Sequence, residues 1–593
     1  MTSGLSDTRA VPETSAAGPP AAGSSVGVAV VLATALASDG RPAALLPWED
    51  GTLVGRLAGQ LEALGVRAVV VLARPEFVAA VRDALAPGAD VRASADVAGD
   101  LREIARLSGS CGGMAVVVYG DLVTHTAALE GLLTSPYGGT RILAGGRRRP
   151  LAFRFQARRG RVVSAASAYH AVRTPNGSFL GVLRIAPADL PSLTAAAERL
   201  ADLATAIPGA WLEELDRKVA RWRGAVARTR GEEEDVDDFA GPEEPEEVAD
   251  EPPGEDGGAV ALSPEEETWV RTRVAAAPQD AAALLLVGLV RAGVGVMPLY
   301  LRQLFWSRPL SPDTAAHAER RIAEYDVDKV LLDSAVKSAD GFFTTFFVSP
   351  YSKYIARWAA RRGFTPNQVT TVSMLLGALA AAGFATGERW GMIAGAVLLQ
   401  VSFTTDCVDG QLARYTRQFS KLGAWLDSVF DRTKEYLAFA GLAIGAAHAG
   451  DPVWLLACAA ITLQTVRHTS DFSYMAVRHQ AITVTPQTPI EQPLDHAGAQ
   501  AEARRRARAA GAPVVRAKRR LASRILGTWH RLDRSRSLRW VKRMAAFPIG
   551  ERFAVVSITA GLFSARETFI AVLAWGGFAM LYTQTGRVLR SIR

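Results

Sequence analysis

Three features of this 593-residue chain predict an α/β domain with a mainly parallel sheet, followed by an all-α transmembrane domain of six helices. Residues 26 to about 205 alternate short Val-rich runs with amphipathic stretches, the pattern of buried strands and covering helices. From residue 366 the apolar runs lengthen to about 20 residues, enough to cross a hydrocarbon core. An acidic, Pro/Gly-rich segment divides the two parts. The totals agree: 49% apolar residues and a mean hydropathy of +0.11 are high for a soluble protein and low for an all-membrane one. Three distant cysteines, Cys111, Cys407 and Cys458, give neither a disulfide framework nor zinc-type spacing, which suits a reducing, cytosol-facing environment.

Residues 1–25 lack a basic start and an apolar run, so they read as a disordered tail rather than a signal peptide. Residues 26–230 form the expected α/β domain. "VGVAVVLATAL", "VRAVVVLA" and "MAVVVYGD" read as strands, and "LVGRLAGQLEALG", apolar at Leu53, Leu57, Leu61 and Leu64, reads as a helix. Residues 231–260 are an acidic, self-repelling linker. A helical connector is expected over 261–349, opened by Ser263, Pro264 and Glu266 as cap, first-turn proline and capping-box partner. Its apolar stretch 281–301 is broken by Arg291 and Pro298 and reads as a buried or interfacial helix, not a span.

Residues 350–593 form the expected membrane domain, with spans near 366–386, 391–413, 423–447, 452–476, 545–563 and 567–586. The connections "TGERWG", "HAGDP" and "FSARE" carry little positive charge. The opposite side holds "RYTRQFSK", "GRVLRSIR" and a basic loop over about 478–543. Six spans with the N-terminal domain in the cytosol put every basic loop inside, as the positive-inside rule requires. The basic loop suits an anionic leaflet, and no nucleic-acid partner is expected. Ahead of the first span, Tyr354, Ile355 and Trp358 share a helix face with Lys353, Arg357, Arg361 and Arg362 nearby, as in a helix lying among headgroups.

Within this apolar domain "DCVDGQLARYTRQFSKLGAWLDSVFDR" holds Asp406, Asp409, Asp427 and Asp431. Ionisable groups inside a bilayer cost several kcal/mol unless paired, so they mark function. Spacings of three and four place each pair on one helix face, and a short turn makes the two helices antiparallel. Four converging carboxylates repel unless cations sit among them. Oxygen ligands alone favour Mg2+, Mn2+ or Ca2+. Two ions sharing bridging carboxylates would suit displacement at phosphorus, one steadying the attacking oxygen and the other the leaving phosphate. Gly410 lets a ligand approach the backbone, Ala413 keeps the face open, Arg414 offers a fork for phosphate oxygens, and Gly423 allows close helix packing.

The pattern D-x2-D-G-x2-A-R-x8-G-x3-D-x3-D, complete from Asp406 to Asp431, resembles the CDP-alcohol phosphotransferase family. The resemblance implies a six-helix membrane domain, a homodimer, and a site open to the cytosol. It implies transfer of a substituted phosphate from a CDP-alcohol to an acceptor hydroxyl, with release of CMP. The acceptor is left open among inositol phosphate, glycerol phosphate, another polyol and a lipid. By position, Asp406, Asp409, Asp427 and Asp431 would hold two Mg2+ or Mn2+ ions, and Asp431 would be the general base. Gly410, Ala413, Arg414 and Gly423 would line the CDP pocket. "KSADGFF" and "TPNQVT" resemble segments of the subgroup that fuses this transferase to a nucleotidyltransferase-like domain, which adds Lys337, Asp340, Thr365 and Asn367 to the donor pocket. Arg467 and His468 in "TVRHTSDF" would grip a phosphorylated acceptor, or Arg467 would anchor the helix at the inner face.

The opening of the α/β domain resembles sugar-phosphate and cofactor nucleotidyltransferases. The loop "ATALASDGR" lacks their glycine pair, and Ala43 stands where they carry Lys, with only Arg41 nearby. Asp121, ending "VVVYGD", falls at their metal aspartate. The resemblance implies a degenerate domain serving regulation or docking. A divalent-cation transporter and a membrane scaffold remain rival readings, since carboxylates also line ion paths.

Overall fold

The computed structural model describes residues 26–135, 138–146, 151–158, 160–172, 175–206, 280–301, 304–337, 340–482, 489–491 and 536–591. The N-terminal tail, the acidic linker, the Ser263 cap and most of the basic loop lie outside the described residues.

The first part contains strands β1 (Val26–Ala33), β2 (Pro47–Trp48), β3 (Gly51–Thr52), β4 (Val69–Ala73), β5 (Asp90–Ala93), β6 (Met114–Tyr119), β7 (Val123–Thr124), β8 (Arg141–Gly145), β9 (Phe153–Arg158), β10 (Arg161–Ala165), β11 (Gly177–Ile185), β12 (Met297–Tyr300) and β13 (Trp306–Ser307). Its helices are α1 (Leu53–Ala63), α2 (Val78–Asp83), α3 (Val97–Gly109), α4 (Thr126–Leu133), α5 (Leu190–Ala206) and α6 (Ala281–Arg291). Nine strands make one sheet. β5, β4, β1 and β6 are mutually parallel neighbours, as the Val-rich runs predict. β11 then pairs antiparallel with β6, β8 and β9, and β10 folds back on β9.

The sheet is therefore mixed, which corrects the expectation of a mainly parallel one. The connection from β9 to β10 is too short to house a crossover helix, so β10 returns antiparallel on β9, and β11 enters antiparallel to β6, β8 and β9. β1 and β6 form the buried centre, and α1 lays Leu53, Leu57 and Leu61 against the core. The connector also departs from expectation. α6 is buried nearly all round, the chain turns at Gly293, and β12 joins β8 as a parallel edge strand. An edge tolerates the missing donor of Pro298. Residues 281–300 thus complete the sheet rather than linking away from it.

The helical part begins with α7 (Pro312–Ala323), α8 (Val327–Ala335) and α9 (Ser349–Arg361). It continues with α10 (Pro366–Ala385), α11 (Arg389–Thr416), α12 (Lys421–His448), α13 (Trp454–Ile482), α14 (Arg536–Ala545), α15 (Ile549–Leu562) and α16 (Ala565–Ser591). α10–α13, α15 and α16 fall where the six spans are expected. Among the described residues, α10 and α11 are long and apolar enough to cross a membrane by length and composition. The others miss that test through their own polarity or length: α12 carries Asp427, Asp431, Lys434 and Glu435, and α15 has 14 residues.

Large apolar side chains such as Leu375, Leu379, Val397, Leu455 and Leu581 are exposed, while Ser373, Asp409, Lys434 and Glu435 are buried. α9 buries Ser352, Ala356 and Ala359 and exposes Tyr351, Tyr354 and Trp358. α10 starts from a Thr365–Gln368 capping box and packs along both α11 and α12. A Cβ on Gly445 would fall 2.0 Å from the Phe384 carbonyl oxygen, and one on Gly441 2.3 Å from that of Ala381, so only glycine permits this approach.

Candidate active site

Asp406 and Asp409 lie on α11, and Asp427 and Asp431 on α12. The turn between the helices is set by Arg417 in left-handed conformation (φ 56°). Ser420 then caps α12 by accepting the Gly423 N–H at 2.8 Å. The short turn folds the helices back on each other, and the expected convergence follows: Asp406, Asp409 and Asp427 each offer an oxygen within 4.8 Å of the others. Asp431 lies outside that trio. Asp409 Oδ2 and Asp431 Oδ1 are buried and accept no hydrogen bond. An all-oxygen donor set with the orphaned, buried Asp409 Oδ2 among it fits a hard divalent cation.

A residue unremarked in the sequence completes the cluster. Lys434 is fully buried; its ammonium donates to Asp406 Oδ1 and, at 3.0 Å, to Ser373 Oγ. It also lies 3.3 Å from Asp431 Oδ1, an ion-pair distance without hydrogen-bond geometry. Ser373 and Ser402 tie α10 to α11 beneath it, each hydroxyl donating to the other's carbonyl at 2.9 and 2.7 Å. The signal was present in the sequence: Asp427, Asp431 and Lys434 follow the i, i+4, i+7 face of one helix.

Around the expected donor pocket, the Arg414 guanidinium lies over Gly410, and its Nε donates to the Ala335 carbonyl of α8. Ala413 is half-buried beside it. Lys337 is exposed, and the charges of Lys337 and Arg414 both act on Asp427. The Asp340 N–H donates to the Lys337 carbonyl at 3.4 Å. Thr365 is the α10 cap. A Cβ on Gly423 would meet Asn367 Oδ1 at 2.7 Å, so Gly423 serves the approach of α12 to α10 rather than to α11.

Arg467 and His468 belong to a buried polar network. Arg467 is 9% exposed and donates to Gln464 Oε1 at 3.2 Å and to the Ala546 carbonyl at 2.9 Å. That burial is unlike a headgroup anchor. Arg552 donates to the same Gln464 oxygen at 2.9 Å and lies 3.4 Å from Glu435, which His468 approaches at 3.5 Å. Glu435 Oε1, Gln464 Nε2 and Arg552 Nε are buried without hydrogen-bond partners. Sequence reasoning passed over Glu435, Gln464 and Arg552, which lie far apart along the chain.

In the α/β domain Asp121 is 1% exposed, and both its oxygens accept from Arg308 Nε at 3.1 and 2.9 Å. The Arg308 guanidinium also stacks 3.9 Å from the centre of the Tyr119 ring, whose phenol burial pushes well above its usual pKa. Arg41 is exposed and paired with Asp39, and Ala43 is wholly buried. Among the described residues, the acidic group placed to hold an ion is the one on α11 and α12.

Residues 364–491 match the family model described as CDP-alcohol phosphatidyltransferase. A "Bifunctional IPC transferase and DIPP synthase" of Aquifex aeolicus is 37% identical over 127 residues, covering 21% of this chain and 28% of that one. An "Archaetidylinositol phosphate synthase" of Pyrococcus horikoshii is 37% identical over 91 residues, covering 15% and 47%. A "Phosphatidylinositol phosphate synthase" of Streptomyces avermitilis is 33% identical over 135 residues, covering 22% and 50%. The chain thus spans half or less of the length of these relatives. Among solved structures, the inositol-1-phosphate CTP transferase of T. maritima aligns over 51% of this chain and 97% of its own, at 10% identity and a TM-score of 0.31.

Proposed function

We propose that this chain, whose residues 364–491 match the CDP-alcohol phosphatidyltransferase family, moves a substituted phosphate from a CDP-alcohol to an acceptor hydroxyl and releases CMP. The observation that carries the proposal is the meeting of Asp406, Asp409 and Asp427 oxygens, from two helices joined by a tight turn, within 4.8 Å. Those carboxylates would hold divalent metal, which when bound supplies positive charge at the pyrophosphate. Asp431, outside the trio and 3.3 Å from the Lys434 ammonium, serves the other half of the chemistry and takes the proton of the acceptor hydroxyl. The acceptor oxygen then bonds to the phosphorus bearing the alcohol. The bond from that phosphorus to the bridging oxygen breaks, and CMP departs with that oxygen. Arg414, fixed by the Ala335 carbonyl, orients donor phosphate, and Lys337 adds charge at the same side.

The relatives' names point to an inositol phosphate as acceptor. Arg467 and Arg552 form a cationic pair for its phosphate, with His468 beside them at Glu435, one residue from Lys434. The exposed apolar faces of α10–α16 and the aromatic face of α9 support a multi-pass membrane placement, and the basic loops of the sequence support a site toward the cytosol. For the α/β domain the Asp121–Arg308 pair supports a docking role over nucleotidyl transfer. Full-length protein in detergent, given Mg2+, a panel of CDP-alcohols and inositol 1-phosphate, glycerol 3-phosphate or lipid acceptors, should release CMP with one combination. No CMP from any of them would overturn the proposal.

A further inference from the structure

We infer that Lys434 is a built-in cation of the aspartate cluster, taking the place of a second divalent ion so that the site loads one ion per chain. The inference deepens the transferase reading and rests on it for its chemical meaning.

Lysine is almost never fully buried unless paired, and Lys434 is fully buried. Its ammonium reaches one aspartate from each helix: it donates to Asp406 of α11 and lies 3.3 Å from Asp431 of α12. An ion bridging those two carboxylates would have to occupy the position the ammonium holds. Two-ion centres keep their ions about 3.5–4 Å apart and share a bridging carboxylate, and Asp406 is shared in this way between the trio and the ammonium. Asp409 and Asp427, by contrast, make no hydrogen bond or ion pair with Lys434, and with Asp406 they form the trio open to a metal.

The position is built, not incidental. A Cβ on Gly377 would lie 2.7 Å from Lys434 Cγ and 3.2 Å from Cδ, so α10 carries glycine where the lysine stem passes. One turn earlier, Ser373 supplies the third partner of the ammonium at 3.0 Å, with its own hydroxyl committed to the Ser402 carbonyl. Stem, head and partners are thus provided by three helices. Lys434 is a positioning residue here: it holds Asp406 and Asp431 toward each other across the helix pair without touching substrate.

The test counts ions rather than turnover alone. Metal-free full-length protein in detergent is titrated with Mn2+, and free Mn2+ is read by electron paramagnetic resonance. The expected count is one ion per chain, rising to two in Lys434→Met and staying at one in Lys434→Arg. Two ions in the natural protein overturn the inference, as does a count of one in Lys434→Met. The natural protein decides the question even if the Met variant fails to fold. CMP release on the same preparation separates the two ideas. Two ions with CMP release remove the inference and keep the transferase; one ion with no CMP from any CDP-alcohol removes the transferase and keeps the lysine's role.

Discussion

Arg417, in the turn between the two aspartate-bearing helices, is ion-paired with Glu130 of α4 in the α/β domain. Its other guanidinium nitrogen donates to the Ala127 carbonyl. The same end of α11 is held by α8, where Asp328 accepts from Tyr415 and Arg357 and Ala335 accepts from Arg414. The α/β domain therefore grips the element that sets the spacing of the aspartates, even though its own strand-end aspartate is buried in a salt bridge. Glu130→Ala should lower CMP release roughly fivefold, the loss expected of a partly exposed ion pair worth about 1 kcal/mol, with the chain still folded. Unchanged CMP release would show that the turn holds its shape without the domain.

Asp427→Ala removes one of the three oxygens that converge within 4.8 Å. CMP release should fall on the order of 10²–10³-fold, since metal charge at a reacting phosphate is worth several kcal/mol. Mn2+ affinity should fall with it, while the chain still purifies as a folded species. A variant that loses activity but keeps full Mn2+ affinity would remove Asp427 from the metal site.

The aspartates were legible because their spacing is local: three, four and a short turn are enough to bring them together. The helices were legible for the same reason, from run length alone. Lys434 was legible in part, since its helix face could be read but the glycine and serine that receive it lie on another helix, about 60 positions earlier. The Glu435–Gln464–Arg552 network was not, because its members come from three separate helices. The mixed sheet escaped for a related reason. A Val-rich run announces a buried strand, but the direction of its neighbour depends on connections whose residues carry no periodic signal. β12 was hidden further by Pro298, which argues against a strand except at an edge.

Two buried histidines should make the α/β domain acid-sensitive. Burial, aided by Arg291, lowers the pKa of His170 to about 3, and burial with Arg56 lowers that of His125 to about 4. Both are neutral in the fold near pH 7. Below about pH 6.5 the unfolded chain binds protons that the folded chain refuses, so stability falls as pH falls toward those values. Each histidine contributes up to ~1.4 kcal/mol per pH unit in that window. His170 also bonds the Ile490 carbonyl at 2.9 Å, so its loss would loosen the segment after α13. His170→Gln should flatten the fall in thermal stability between pH 6.5 and 5 relative to the natural protein. Equal slopes in the two proteins would show that His170 titrates normally.

Asp121 and Arg308 decide between a working and a vestigial nucleotide site. A metal-binding aspartate at a strand end needs its oxygens turned toward a ligand; removing its charge then costs turnover and little stability. Asp121 instead gives both oxygens to a guanidinium and is 1% exposed, with Arg308 itself 11% exposed at the side chain. Breaking a buried pair of this kind leaves an uncompensated charge, at a cost of about 3–5 kcal/mol. Asp121→Asn should therefore lower the melting temperature of the full-length chain markedly. The natural protein, offered CTP with inositol 1-phosphate or other alcohol phosphates, should release no pyrophosphate. The full chain is needed for this assay, because β12 and α6 complete the sheet and a fragment ending at residue 230 would lack them. Pyrophosphate release by the natural protein, lost in Asp121→Asn without loss of stability, would make Asp121 a metal ligand and the domain a source of the CDP-alcohol its other half consumes.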